Sequence, residues 1–143
     1  MEYIISLLIY ISTFGISMII LSKYQSICKR NNYVEMPVIK KGIWFLLTIA
    51  APVFISAVRF GVGTDYFGYV EIYKRINTWS SYAVWSYYGH EPLYLFLNEV
   101  AFYLFGSGWG IFFLSSFIIH IFIVMGIDYF KKDMSLPLAL FLY

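Results

Sequence analysis

Charged side chains are scarce in this chain: Asp, Glu, Lys and Arg make up 13% of its 143 residues, against roughly 25% in a soluble domain. A water-soluble fold of this size must cover its surface with polar groups, and too few are present. The shortage also excludes a disordered segment, which needs high charge and low apolar content. Ten Lys and Arg against eight Asp and Glu leave a net charge of +2. That charge is spread along the chain, so there is no concentrated basic footprint for nucleic acid. Cysteine is reduced to one residue, Cys28, which excludes an internal disulfide framework and a zinc cluster built on thiolates. No Walker loop, HExxH pair or Ser/His/Asp arrangement of defined spacing is present. The pattern therefore calls for neither a metal nor a cofactor.

Apolar residues are abundant, at 61% of the chain, and aromatics reach 22%. A helix of about 20 apolar residues crosses a hydrocarbon core, and aromatic rings gather at its two interfaces. The composition predicts an all-α, multi-pass membrane protein with a single transmembrane domain over residues 1–143. Spans are expected at about 3–22, 42–58 and 109–127, with a further span starting at about 135 and cut off by the end of the chain. The first run lacks the basic start and small-residue cleavage site of a signal peptide and reads as retained. Pro52 is expected to kink the second.

Orientation follows from charge. Lys23, Lys29, Arg30, Lys40 and Lys41 oppose one acid, Glu35, between the first two spans, which marks that loop as cytoplasmic. The N-terminus and an outer loop over 61–91 then face outward. If residues 92–105 also crossed, Lys131 and Lys132 would lie outside. On a helical wheel Glu91, Asn98 and Glu99 share one face of this segment, opposite Leu93, Leu97, Val100 and Leu104. That amphipathic pattern favours an outer juxtamembrane helix lying in the interface.

Polar chemistry concentrates in the outer loop. Gly61 and Gly63 allow a sharp exit from the second span, and Thr64 or Asp65 caps a helix over about 65–77. Arg59 is either a snorkelling anchor or a bidentate partner for a diphosphate, whose oxygens match the guanidinium fork. Asp65 is either a cap or a base that positions an acceptor hydroxyl. Glu91 sits favourably at a helix start, which is a structural reason for it, with a catalytic role as the alternative. Aromatics crowd residues 66–88, as an interfacial belt or as faces for sugar rings. Ser116 and His120 share a helix face, for packing or for function. Cys28 is a reduced bystander or a palmitoylation site.

The string from Arg59 through Gly61, Gly63, Thr64, Asp65 and Tyr66 to Tyr69, followed by Glu91-Pro92-Leu93-Tyr94 and Leu97-Asn98, resembles the EpsG family. These are multi-pass proteins of exopolysaccharide and capsule synthesis, akin to Wzy-type polymerases, and usually well over twice this length. A weaker likeness to the front of GT-C glycosyltransferases rests on an outer-loop acid followed by a Pro-started juxtamembrane helix. The EpsG resemblance implies polymerisation of undecaprenyl-diphosphate-linked oligosaccharides at the outer face of the bacterial cytoplasmic membrane, alongside other polysaccharide-synthesis membrane proteins. It implies that Arg59 steadies the leaving diphosphate, that Asp65, with Glu91 as second choice, acts on the acceptor hydroxyl, and that Tyr66 and Tyr69 contact substrate. It also implies that these residues are the N-terminal part of a longer enzyme and inactive alone. The competing reading is a non-catalytic protein, either a transporter segment for lipid-linked glycan or a scaffold of the synthesis complex.

Overall fold

A computed structural model describes residues 2–58, 66–78, 80–88 and 91–143, without the side chains of 2, 3, 5, 81, 82, 87 and 88. The described residues form α-helices and no strand: α1 Glu2–Arg30, α2 Val38–Val58, α3 Tyr66–Thr78, α4 Ser81–Tyr88, α5 Pro92–Phe105, α6 Trp109–Tyr129 and α7 Leu136–Leu142. Among them α1, α2 and α6 are long and apolar enough to cross a membrane. The chain is a multi-pass all-α membrane protein. It divides into two compact units, one from Met1–Ile55 with Phe117–Tyr143 and the other Ser56–Ser116.

In the first unit α2 runs antiparallel to α1. Tyr24 near the end of α1 meets Trp44 and Phe45 near the start of α2, with ring centroids 6.3 and 5.8 Å away. Further along, the Ser17 hydroxyl donates to the Thr48 carbonyl at 2.6 Å. The reason lies four residues on, at Pro52, which α2 carries in its interior. Proline has no backbone N–H, so the carbonyl of residue 48 loses its partner within the helix. In a membrane a neighbouring helix must supply the missing donor, and Ser17, only 2% exposed, does so. The helix continues unbroken through Pro52 to Val58.

The C-terminal end of α6 reaches the same end of this unit, where a buried carboxylate collects partners from two other helices and from the turn after its own. Asp128, 3% exposed, accepts a hydrogen bond from the Tyr24 hydroxyl at 2.7 Å. It pairs with Lys41 of α2 at 2.6 Å and, at 3.5 Å, with Lys131 just past its own helix. A carboxylate in the last turn of a helix opposes the macrodipole, so these cations offset a field as well as the loss of water. Lys131 also reaches Glu35 at 3.4 Å. Burial lowers the pKa of the Lys131 ammonium, but Asp128 and Glu35 outweigh that and hold it above the ordinary lysine value. Gln25 ties down the chain that follows: its amide donates to the carbonyls of Met134 and Lys131, and its oxygen accepts from the N–H of Leu136, where α7 begins. The apolar stretch from 135 is thus a short helix, with Leu136 and Leu140 buried.

This arrangement bears on residues 92–105. Since α2 runs away from the polar end and α6 runs toward it, the chain between them must cross the membrane an even number of times. Among the described residues no helix of that segment is long enough to cross. At fourteen residues α5 is an apolar helix shorter than the three that can cross a membrane.

Boundaries differ from expectation at the polar end, where α1 continues past Ser22 to Arg30 and α2 begins at Val38, before Gly42. Helix-compatible polar residues extend both helices beyond their hydrophobic runs. One prediction follows from Pro52. Ser17→Ala leaves a buried carbonyl unpaired and costs about 1 kcal/mol, whereas in a Pro52→Ala background, which restores the N–H, the cost largely disappears. Thermal unfolding of the four proteins in detergent measures the coupling, and strictly additive losses would contradict the assignment.

Candidate functional site

The second unit is built around aromatic rings. On α3, Tyr66, Val70 and Tyr73 stand at helical spacing on the face that turns inward. Tyr73 is buried with Ala101 of α5 and with Ile111 and Phe112 of α6, and Tyr66 and Val70 pack against the same cluster. A second small cluster joins Ile76, Val84 of α4 and Leu95 of α5. The outer side of α3 carries an acid–base pair between Glu71 and Arg75.

Two glycines shape the turn that brings α6 under α3. Gly106 ends α5 in the left-handed region, φ 59°, and its N–H donates to the Phe102 carbonyl at 2.9 Å; a side chain there is strained. At Gly110 a Cβ would stand 2.6 Å from a ring carbon of Phe105, so only glycine lets that ring close over the first turn of α6. Phe105 lies 4.7 Å from the Trp109 ring.

Within this frame Tyr66 stacks on Phe112, with centroids 5.1 Å apart and planes 9° from parallel. Tyr69 stands edge-on to the same ring at 6.2 Å and tilts toward Tyr94 at 5.9 Å. Tyr69, Tyr94, Ile111, Phe112 and Ser115 line a cavity of about 270 Å³. Its lining is mostly aromatic, with Ser115 beside the rings, a surface suited to the C–H faces of sugar rings.

Among the described residues, the Tyr73 phenol oxygen and the Asn98 side-chain oxygen are buried without hydrogen-bond partners. Burial pushes the pKa of the Tyr73 phenol up. Asn98, fully buried one turn along α5 from Tyr94, donates to the Tyr94 carbonyl at 2.8 Å, while its side-chain oxygen is left without a donor. An orphaned buried acceptor costs roughly 1–3 kcal/mol.

The site residues expected from sequence fare unequally. Tyr66 and Tyr69 come together through Phe112. Arg59 and Asp65 lie outside the described residues. Glu91 precedes α5 as an exposed residue whose side chain makes no capping hydrogen bond, and it does not line the cavity. The wheel reading of α5 needs correction at Asn98. It was grouped with Glu91 and Glu99 on the polar face, yet it is buried with Leu95 and Ala101, while Leu93, Phe96, Tyr103 and Leu104 are exposed. A helix beside lipid turns its most apolar face outward and hides its polar side chain in protein. Phe112, Tyr94 and Ser115 were not assigned to the site. The ring spacing on α3 showed a face but not the partner, which lies far along the chain.

A family model described as the EpsG family matches residues 42–143. No curated protein and no solved structure matches the chain. The matched stretch contains both motifs on which the EpsG resemblance rests; the GT-C likeness gains nothing from it.

The orphaned phenol yields a test of the core. Tyr73→Phe removes an oxygen without a partner and is expected to leave stability unchanged or raise it by up to about 1 kcal/mol. Phe112→Ala, by contrast, is expected to lose roughly 3 kcal/mol. Thermal unfolding reads both, and a clear loss for Tyr73→Phe would mean that its hydroxyl is bonded after all.

Proposed function

The chain belongs to the EpsG family, whose membership points to a membrane protein of polysaccharide biosynthesis, and from that premise we propose that it polymerises lipid-linked oligosaccharide units. The observation that supports this reading is the aromatic cavity formed by Tyr69, Tyr94, Ile111, Phe112 and Ser115, of which Tyr69 stands four positions after Asp65. The substrate is a glycan on undecaprenyl diphosphate, delivered through the bilayer, and other membrane proteins of polysaccharide synthesis are the working partners.

In this reading the cavity holds a sugar ring against Tyr69 and Phe112, and Tyr66 braces Phe112 from its face. Arg59 pairs with the diphosphate. As the glycosidic bond breaks, charge grows on the leaving diphosphate, and a fixed guanidinium stabilises that state by roughly 3 kcal/mol. Asp65 accepts or orients the proton of the acceptor hydroxyl, with Glu91 as the second choice. The base-rich end of the first unit faces the cytoplasm by the positive-inside rule, which puts the N-terminus and the reaction on the outer face of the bacterial inner membrane.

Replacing Arg59 by Ala in the native gene is expected to reduce long polymer about a hundredfold while single repeat units accumulate on the lipid carrier at the outer face. Gel sizing of the polysaccharide and analysis of extracted lipid-linked sugars measure this. Normal chain length at normal protein level would remove Arg59 from the reaction. In cells lacking the gene, accumulation on the cytoplasmic face instead would identify a transporter of lipid-linked glycan.

A further inference from the structure

The end of α1, the turn after it and the start of α2 enclose a groove of about 610 Å³ that the proposed reaction does not use. It lies at the polar end of the first unit. Arg30, Asn31, Asn32 and Lys40 supply its donors, and Met36 and Trp44 an apolar wall. The turn is held open by its own backbone. Asn32 and Tyr33 both take positive φ, 50° and 54°, and the N–H groups of Asn31 and Tyr33 close back on the carbonyls of Ile27 and Cys28. The last carbonyls of α1 are thereby occupied within the chain.

The charge of the groove is unbalanced. Its one acid, Glu35, is engaged by Lys131. Among the described residues neither Arg30 nor Lys40 forms an ion pair. The first turn of α2 adds backbone N–H groups that a helix leaves without carbonyl partners, and the positive end of its dipole. Near these cations in sequence stand exposed aliphatic side chains, Val34 of the turn at 72%, and Val38 and Ile39 of the first turn of α2 at 86% and 80%. Val34 lines the groove itself. Apolar groups bared next to cations and a Trp suit one environment, the boundary between headgroups and acyl chains.

We infer that this groove binds an anionic phospholipid, with Arg30 and Lys40 on the headgroup phosphate and Val34, Val38 and Ile39 against the acyl chains. A free phosphate ion would satisfy the cations but leave the three aliphatic side chains uncovered, which is why the lipid is the assigned ligand. The site lies in the first unit, and it stands whether or not the aromatic cavity takes a sugar.

The test uses the purified full chain in detergent, titrated with phosphatidylglycerol or phosphatidylcholine and read by native mass spectrometry. Phosphatidylglycerol is expected to bind about tenfold more tightly, and Arg30→Gln with Lys40→Gln to weaken it by about an order of magnitude. Lys29→Gln with Lys132→Gln, which removes equal charge from the same end but outside the groove, is expected to change it less than about twofold. As a second measurement, a chain keeping Trp44 as its one tryptophan is expected to lose fluorescence with phosphatidylglycerol brominated near the headgroup end of its acyl chains. Equal losses in the two double variants, no preference between the lipids, or an unquenched Trp44 would each overturn the proposal. Displacement of the lipid by millimolar inorganic phosphate would overturn the lipid assignment in favour of a free-anion site.

Discussion

A carboxylate buried at a helix end is a costly group, and Asp128 is where the first unit resolves that cost. Removing an ion from water carries a penalty of several kcal/mol unless partners replace the solvent. Here the partners come from three places: the Tyr24 hydroxyl on α1, the Lys41 ammonium on α2 and Lys131 beyond α6. None of these contacts can form unless the end of α1, the start of α2 and the end of α6 meet at the same level. The carboxylate therefore fixes register and direction together. Ser17 and Pro52 repeat the same logic deeper in the span, where one helix lacks a donor that the next provides. Apolar packing between lipid-like surfaces discriminates poorly among registers, so in a membrane such polar appointments carry much of the specificity.

From that clasp the rest of the topology follows by connectivity. With α2 leaving the polar end and α6 returning to it, the segment between them begins and ends on the other side of the membrane. That segment is rich in rings rather than charges. Its folding uses them twice, first as a core around Tyr73, Ala101, Ile111 and Phe112 and then as the lining of a cavity. The two units differ in chemistry: the first offers cations and amides around its polar end, the second aromatic faces.

Much of this was legible in the sequence, and the failures have physical causes. Hydropathy locates α1, α2 and α6 because a span is a property of local composition. Hydropathy measures where lipid is, not where hydrogen bonding stops, so it missed the polar extension of α1 to Arg30. Tyr66 and Tyr69 are named by the EpsG resemblance, whereas Phe112, which unites them, is a long-range partner that no local pattern reveals. Asp128 was passed over because one acid near a span end reads as a boundary residue; its importance lies in two lysines and a tyrosine drawn from distant positions. Asn98 was misjudged because the wheel assumes that water lies on the polar side, which fails for a helix bordered by lipid.

The account stands on the opposed placement of the base-rich end and the loop that follows α2. Single cysteines at Thr64 and Asp133, introduced in a Cys28→Ser background and exposed to a membrane-impermeant thiol reagent in intact cells, test it directly. Labelling at Thr64 from outside, with Asp133 reacting only after the membrane is opened, is the predicted result. Labelling of both positions from the same side would contradict the parallel arrival of α1 and α6 at one end, and with it the topology built on Asp128.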